Sequence, residues 1–441
     1  MVNYVVDNGS NYLVDGDDNY IVSGGAYREQ ILRGGAYVFR RISIKRRQLD
    51  GTFESSWYDI SGYVQRYPVL TRGFGDISRV LDYNIVSFNL DLNNISRAFN
   101  NISDPSSLFF GYLTRRFFKI KIEVGYINDD NTELEGLVYY ALNIGDPKND
   151  SDGNITFTCA DVLTIFNNYS VANVSSSSGT TVQIIDRIYD KQQNASEVFW
   201  KFFEGDSIDT SIATLTVSSP TLYDSQTAWE KIMLYLGYEN FFCYVDNRGY
   251  FTVATKEATP DIKWFLNGAG CVTLNDYGIN IIDIVELDGV KDFYPRVTIK
   301  DTDESEQTSS VSWTPDDGGE VDQYGERTLS QTWNELTGAE ALQTAVKLRS
   351  SFDRIRRRFK VKTLFLPLNP KDYVVLNYGG SVATTDYIVD NAGNYLVDGA
   401  GNYIGRGDTI SAMNYANINC KIGEINYDTE GLICNMLLIE I

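Results

Sequence analysis

The sequence contains no histidine among its 441 residues, and this absence excludes several classes of catalytic site. Ser-His-Asp and Cys-His systems need an imidazole base, and many zinc centres need imidazole ligands. Other catalytic signatures are missing as well. The stretch Gly379-Gly380-Ser381 lacks the G-x-S-x-G spacing of a nucleophile elbow, and there is no P-loop motif. We therefore expect a protein that is not an enzyme, with no catalytic residues, no cofactor and no metal site.

Cysteine and long apolar runs are scarce too. No run of about 18 apolar residues occurs, so the sequence predicts no membrane-spanning segment. The N-terminus has neither the basic region nor the apolar region of a secretory signal. No two cysteines form a C-x-x-C pair, and the pattern is typical of buried free thiols in a chain made in a reducing cytosol. The five cysteines are Cys159, Cys243, Cys271, Cys420 and Cys434.

Acidic residues outnumber basic ones by 59 to 38, which gives a formal charge of −21. This balance disfavours a nucleic-acid-binding protein, because phosphate contacts need positive surface. Segment 301–324 holds eight acidic residues and no Lys or Arg, and predicts a solvated loop. The sharpest basic cluster has three interpretations: a solvated helix end, a contact with an acidic neighbouring subunit, or DNA. It consists of Arg354, Arg356, Arg357 and Arg358, followed by Lys360 and Lys362.

An eight-residue repeat occurs near both ends, over residues 3–24 and 386–407. Each unit has Asn or Asp, Tyr, two mostly aliphatic residues and a four-residue Asp/Asn/Gly turn, which predicts tight β-hairpins. Uncovered hairpin edges invite pairing with another chain. The repeat tyrosines are therefore candidate subunit contacts, with freely projecting hairpins as the alternative. They are Tyr4, Tyr12, Tyr20, Tyr387, Tyr395 and Tyr403.

The remaining composition is that of a mainly β protein with a few helices. The chain has 30 Tyr, 22 Phe and only 9 Pro, and alternating apolar residues predict half-buried strands, as at 86–92 and 118–124. Strand 38–47 is expected to turn its basic residues outward. We predict two β-barrel-like domains around a small α+β domain: repeats 1–36, a first barrel 37–168, the α+β domain 169–262, and a second barrel 263–441 that contains the acidic loop and the second repeat.

Two helices and one hairpin carry clear local signals. Asp224 or Ser225 is expected to cap a helix that ends at Gly237, with Trp229, Ile232, Met233 and Leu236 on its apolar face. Thr337 and Glu340 form a capping box at the start of a second helix. The turn 246–249 (DNRG) between two β-rich runs predicts a hairpin.

The order of these elements resembles the tail hub family of long-tailed bacteriophages, also called baseplate hub or tail tip hub proteins. In that family the turn of the second barrel usually reads Gly-Asp, and here only Asp372 matches it. No single stretch is a sharp fingerprint, and the order of the elements carries more of the resemblance. Three stretches carry it: GLVYY with ITFTCADVLTIF, TAWEKIMLYLGY with YVDNRGYFTV, and residues 339–378.

The resemblance implies a homotrimer in which two barrels per chain form a ring of six. Such a ring would join the tail tube to the tail tip and form part of the channel for tape-measure protein and DNA. The expected partners are further copies of the chain, the distal tail protein, the tape-measure protein and tail tip or fibre proteins. DNA would pass without specific binding. The expected location is the tail tip of the virion, after synthesis in the host cytoplasm.

Two other functions stay open at this point. One is another tail component, either a distal tail protein or one that anchors fibres or adhesins. The other is a carbohydrate-binding or hydrolytic surface protein, since tyrosine and tryptophan can form sugar-stacking platforms. Nothing in the sequence gathers those residues at one place.

Overall fold

The computed structural model describes most of the chain. The described residues are 37–74, 85–127, 136–149, 153–171, 174–194, 202–222, 225–257, 259, 261–268, 280–287, 293–301, 303–310, 320–333, 335–353, 355–378 and 415–441. Both repeat segments, with all six repeat tyrosines, lie outside these residues, as do Arg354 and Cys271.

The first large sheet is antiparallel and is built from the N-terminal third of the chain. Its strands follow the order β2-β1-β6-β7-β9-β5-β3, with β8 paired to β9. The bounds are β1 Tyr37–Arg47, β2 Tyr58–Asp59, β3 Val64–Arg66, β5 Ser87–Asn93, β6 Thr114–Ile127, β7 Leu137–Asn143, β8 Lys148–Asn149 and β9 Asn154–Asp161.

The second large sheet is built from the C-terminal part and one strand of the N-terminal part. Its order is β15-β21-β22-β23-β20-β16, and β4 pairs with β22. The pair β15 and β21 is parallel, and the other pairs are antiparallel. The bounds are β4 Val69–Gly73, β15 Ile262–Asn267, β16 Ile281–Leu287, β20 Arg358–Leu364, β21 Tyr373–Tyr378, β22 Tyr415–Asp428 and β23 Ile433–Glu440.

Helices and three small sheets make up the remainder of the described chain. The α-helices are α1 Thr181–Asn194, α2 Ala228–Glu239, α3 Glu320–Tyr324 and α4 Gly338–Phe352, and short 3-10 helices span Ser61–Tyr63, Val162–Asn168 and Thr210–Ile212. In the first small sheet, β10 Gly179–Thr180 pairs with β12 Thr216–Val217. In the second, β14 Tyr250–Thr255 is the central strand between β11 Gly205–Ser207 and β13 Phe241–Val245. In the third, β17 Arg296–Lys300 is the central strand between β18 Glu306–Ser310 and β19 Thr328–Thr332.

Two apolar cores organise these elements. The first lies between the two large sheets and contains buried residues of both, such as Ile122 and Leu438. The Tyr126 hydroxyl crosses this core and donates to the Phe365 carbonyl at 2.9 Å. The second core holds the apolar faces of α1, α2 and α4 together with β13, β14 and β17. The mainly β fold class predicted from the sequence is confirmed, whereas the domain boundaries stay predictions.

The local signals for strands and caps match the structure closely. Leu90 and Leu92 are buried as the alternation predicts, and so are the alternating apolar residues of 118–124 on β6. The capping box of α4 forms, and its Glu340 carboxylate accepts from the Thr337 N–H at 2.7 Å. The cap of α2 is a correction. Thr227 and Glu230 cap that helix reciprocally, and it runs past Gly237 to end at Asn240 in the left-handed conformation. Thr227 and Glu230 fit a capping box better than Asp224 or Ser225.

The acidic segment 301–324 is a second correction, because parts of it are regular structure. Residues Glu306–Ser310 form β18, which pairs with β17 and packs under α4. Residues Glu320–Tyr324 form α3. Thr298 on β17 and Thr308 on β18 place their hydroxyl oxygens 3.0 Å apart. The acidic composition therefore predicted the wrong structure for these parts of the segment, because a strand can keep an acidic side chain on its solvent side.

Arg72 on β4 connects three parts of the fold. Its side chain is almost fully buried. Its guanidinium donates to the Val138 carbonyl of the first sheet at 2.5 Å, and to the side-chain oxygens of Asn247 at 3.3 Å and Asn369 at 3.0 Å. It also lies 5.3 Å from the centre of the Tyr139 ring. The arginine therefore connects the second sheet to the first sheet and to the turn between β13 and β14. That turn belongs to what we call the helical region, the helices α1, α2 and α4 with the strands that share their core.

Asp161 lies close to this arginine at the end of β9. It is buried, and its carboxylate accepts from the Leu163 N–H at 2.9 Å, which caps the following 3-10 helix. Burial raises the pKa of Asp161 to about 6, although the Leu163 N–H, Arg72 and Tyr139 all favour the carboxylate. The desolvation of a carboxylate therefore outweighs its partners here.

Replacing Arg72 should destabilise the whole fold. In Arg72→Met the apolar stem remains, but the Val138 carbonyl loses its partner and Asp161 loses a neighbouring positive charge. We expect a loss of about 3 kcal/mol in the free energy of unfolding. Urea denaturation followed by tryptophan fluorescence measures it. The exposed Arg66→Met is the matched control and should change stability by less than about 0.5 kcal/mol. Equal effects of the two substitutions would contradict the role of Arg72.

The pKa of Asp161 predicts a specific pH dependence. Because the folded-state value lies above the unfolded one, the neutral carboxyl stabilises the fold fully below about pH 4. That contribution is lost as the pH rises through 6. Asp161→Asn keeps the cap but stays neutral, so its stability relative to the parent chain should rise by roughly 2 kcal/mol between pH 4 and pH 7. Denaturation at stepped pH measures the difference, and a flat difference would contradict the assignment.

Candidate assembly surface

The long connection between β5 and β6, residues 94–113, is held by its own hydrogen bonds. The Asn94 side chain accepts from the Phe99 N–H at 2.7 Å and donates to Asn100 at 3.0 Å. The Leu108 N–H donates to the Ala98 carbonyl at 2.7 Å. Ala98 and Phe99 are buried in the first core and anchor the loop. A long loop that is packed in this way is typical of a functional segment.

The outer side of this loop carries large apolar side chains that are exposed. Ile95 is 72% exposed and Phe110 52%. Leu113 is also exposed, and its N–H donates to the Arg47 carbonyl at 2.9 Å. That bond brings the loop beside the turn after β1, where Leu49 is 71% exposed. We call these four residues the loop surface. Exposed apolar groups on a loop held by its own hydrogen bonds are candidates for a contact with another protein.

Basic side chains lie around the loop surface. Arg97 is exposed within the loop, and Arg116 is exposed at the start of β6 and pairs with Asp146. Arg46 lies over the ring of Tyr112 with its carbon 4.2 Å from the ring centre, and holds Glu54 in a two-point pair. Burial acts to raise the pKa of Glu54, but hydrogen bonds from Arg46 and Tyr112 outweigh it and the pKa lies below its usual range.

A second exposed surface lies at one edge of the second sheet. Among the described residues, β16 pairs with β20 and lies at the end of the strand order. Ile282 and Val285 are exposed on β16, and Leu364 is exposed at the end of β20. A groove of about 380 Å³ crosses the outer face beside them. Its charged lining, which includes Asp283 and Lys360, is the type of feature that keeps open edges from aggregating.

In the structure, the described arginines of the predicted basic cluster mostly contact groups of the same chain. Arg357 forms a two-point pair with Glu440, at 3.0 and 2.8 Å. Arg356 donates to the carbonyls of Ser350 and Ser351 at the end of α4. Arg358 is buried on β20. A contact of this cluster with another subunit, like one made by the repeat tyrosines, stays a prediction.

Sequence reasoning missed an ion cluster of two buried lysines and one exposed glutamate between the first sheet and the helical region. Lys45 on β1 and Lys119 on β6 both reach Glu204, with Nζ to carboxylate distances of 3.3 and 3.0 Å. Burial lowers the pKa of Lys119 to about 8 despite the attraction of Glu204. Lys45 and Arg47 are buried, so the expectation that β1 turns its basic residues outward is wrong at these positions. Glu204, far along the chain, balances the charges of Lys45 and Lys119, and the ring of Trp57 lies 4.8 Å from the Lys45 ammonium, so the burial of these two lysines is favourable.

The hairpin turn of β13 and β14 explains how Glu204 is positioned. The Glu204 N–H donates to the Gly249 carbonyl at 2.9 Å. Gly249 has φ +85°, and a side chain there would come within 2.9 Å of the Glu204 side chain and 3.0 Å of Tyr140. The glycine of the predicted DNRG turn therefore serves both the turn and this contact.

The described residues contain no cluster of acidic and cysteine side chains that would hold a metal ion. The cysteines Cys159, Cys243, Cys420 and Cys434 are buried free thiols. Burial raises the pKa of Cys434 to about 12, which disfavours the reactive thiolate. No helix in the described part of the chain combines the length and apolar character needed to cross a membrane.

Comparison with known proteins places the fold. No protein-family model and no curated protein sequence matches the chain. Among solved structures it resembles the tail protein from Neisseria meningitidis MC58, with a TM-score of 0.50 and 10% identity over 91% of this chain and 96% of the other. Two more are a prophage MuSo2 tail protein from Shewanella oneidensis and prophage tail protein gp18 from Listeria monocytogenes EGD-e. Their TM-scores are both 0.48, their identities 12% and 9%, and they cover 91% and 90% of this chain and 97% and 94% of their own. At this identity the likeness to the Neisseria protein concerns the fold, and the chain shares the fold of that tail protein.

The ion pair of Arg357 and Glu440 should contribute little to stability. Both side chains are partly exposed, so water and salt weaken their attraction. A double-mutant cycle with Arg357→Ala and Glu440→Ala is expected to give a coupling energy of about 0.5–1 kcal/mol. The coupling should fall when the salt concentration rises. A salt-independent coupling well above this range would contradict the description of a solvated pair.

Proposed function

We propose that this protein is a structural component of a bacteriophage virion, a tail hub that joins the tail tube to the tail tip. The observation that supports this most strongly is the match in fold to the Neisseria tail protein over nearly the full length of both chains. The element order from the first sheet through the helix and hairpin to the second sheet also resembles that of the hub family. The protein is proposed to act through assembly and not through catalysis.

In the proposed particle, three copies form a ring, and each copy contributes its two large sheets. The ring forms part of the channel for tape-measure protein and DNA. The net charge of −21 suits such a wall, because a negative surface does not retain phosphate. The distal tail protein, the tape-measure protein and tail tip or fibre proteins are the proposed neighbours. The virion tail tip is the proposed location, after synthesis in the host cytoplasm.

Each copy has two surfaces suited to holding neighbours. The loop surface presents apolar groups on a rigid support, which limits the loss of conformational entropy on binding. The outer strand β16 carries the exposed apolar side chains Ile282 and Val285, beside which a strand of a neighbour can be added. The proposed contacts also include the arginines 354 and 356–358 and the tyrosines of both repeats.

The copy number of the isolated protein tests the hub proposal. Native mass spectrometry of the purified chain is expected to give three copies per particle, and electron microscopy is expected to show a ring with a central opening. A ring of six copies would contradict the hub proposal and favour the distal tail alternative. A monomer that binds glycans would favour the carbohydrate-binding alternative.

A charged substitution in the loop surface tests how the copies meet. Phe110→Glu adds charge to an exposed position, so the monomer should remain as stable as the parent chain. Assembly should weaken if the loop surface is a subunit contact, because the charge would be desolvated there. Leu342→Glu, at an exposed apolar position on α4, is the matched control. Equal assembly of both variants would exclude the loop surface from the subunit interface.

A further inference from the structure

A polar cleft lies where the helical region meets the second sheet. It has two adjoining lobes of about 350 and 380 Å³. One lobe extends to Glu239 and Lys347 on the helices, and the other to Arg356 and Glu440 beside the sheet. Six residues line both lobes: Asn240, Lys256, Glu257, Ser350, Ser351 and Lys421.

Two of the acidic side chains in this lining are committed to partners in the same chain. Glu239 accepts from the N–H groups of Thr214 and Leu215 at 3.0 and 2.6 Å, and it also pairs with Lys347. Glu440 accepts both guanidinium bonds of Arg357. These carboxylates therefore have little capacity left to balance the other cations of the cleft.

Lys421 is the cation that most needs a counter-ion. Its ammonium donates to the Lys256 carbonyl at 2.6 Å, and no carboxylate among the described residues forms an ion pair with it. An ammonium has three donors, so two remain. Burial and then the nearby positive charge of Arg356 lower the pKa of Lys421 to about 8, against the attraction of Glu257. A partly buried ammonium held in this way is stabilised by any anion that reaches it.

A neutral donor lies in the same lining. The Ser351 hydroxyl oxygen accepts from the Asn240 side-chain amide at 2.6 Å, which leaves its own proton to donate. We propose that the cleft binds an oxyanion, a carboxylate or a phosphate-like group, at Lys421, with Ser351 and Arg356 beside it. The group can be a free inorganic anion or the acidic side chains of a neighbouring polypeptide. This proposal does not depend on the hub function.

Glu257 allows a test of whether the ligand of the cleft is negatively charged. It is exposed, lines both lobes and lies near Lys421. A negative charge at that position repels an incoming anion, and Glu257→Gln removes the repulsion. The variant should bind the anion about threefold more tightly, the size of a single solvated charge interaction. A role of Glu257 in folding alone would not produce tighter binding.

Calorimetric titration with two probes tests the proposal. Sulfate represents a small oxyanion whose charge is constant with pH, and hexaglutamate represents an acidic polypeptide. Lys421→Met keeps the side-chain stem and should weaken binding of the effective probe at least tenfold. Lys360→Met removes an exposed lysine from the same sheet and should leave binding unchanged. Sulfate binding should weaken as the pH rises through 8, where Lys421 loses its charge.

The outcomes separate the two sources of the anion. Binding of sulfate, alone or with the peptide, supports an oxyanion site open to small ions. Binding of hexaglutamate alone supports an acidic polypeptide as the occupant. The proposal is overturned if the parent chain binds neither probe, or if Lys421→Met and Lys360→Met bind equally. If Lys421→Met does not fold, the comparison of Glu257→Gln with the parent chain decides, and equal or weaker binding by that variant overturns the proposal.

Discussion

The burial of one arginine side chain holds the parts of this fold in a fixed arrangement. Arg72 sits on β4, a strand that leaves the N-terminal part of the chain and joins the second sheet. From there it reaches the first sheet through the Val138 carbonyl and the helical region through Asn247. A buried guanidinium is tolerated only when most of its donors are matched. The three parts must therefore keep their positions together, because a shift of any one would leave a donor of this buried guanidinium without its partner.

Hydrogen bonds and ion pairs form where the sheets and the helical region meet, and they add directional contacts to the apolar cores. The two large sheets share one core, and such a core is insensitive to small sliding motions because apolar contacts have little direction. Hydrogen bonds and ion pairs have defined geometry. Besides Arg72, the Tyr126 hydroxyl crosses between the sheets, and Glu204 with Lys45 and Lys119 fixes the helical region to the first sheet. The cores supply most of the stability, and these contacts determine the orientation.

The same distinction explains what could be predicted from the sequence. The strands around Leu90 and Ile122, the hairpin with its DNRG turn and the cap at Thr337 depend on neighbouring residues, and local patterns revealed them. Lys45 looked like an outward basic residue because its partner Glu204 lies 159 positions away. The pairing of β4 with β22 joins residues more than 350 positions apart, and no local pattern indicates such contacts. The loop surface was missed for a related reason: Phe109 and Phe110 are adjacent and equally apolar, yet the first is buried and the second exposed.

The distribution of charge bears on how a protein of this kind meets its neighbours. Several buried basic side chains are used inside the chain, as Arg72, Lys45 and Lys119 show. Their geometry is fixed by the fold, so they are poorly suited to adapt to a partner. The apolar side chains that are exposed on the loop 94–113 and on β16 can be covered by a partner without disturbing these buried contacts. A chain with a net charge of −21 repels its own copies at a distance. In the proposed assembly, close apolar contact has to overcome that repulsion, which favours rigid, preformed surfaces over flexible charged ones.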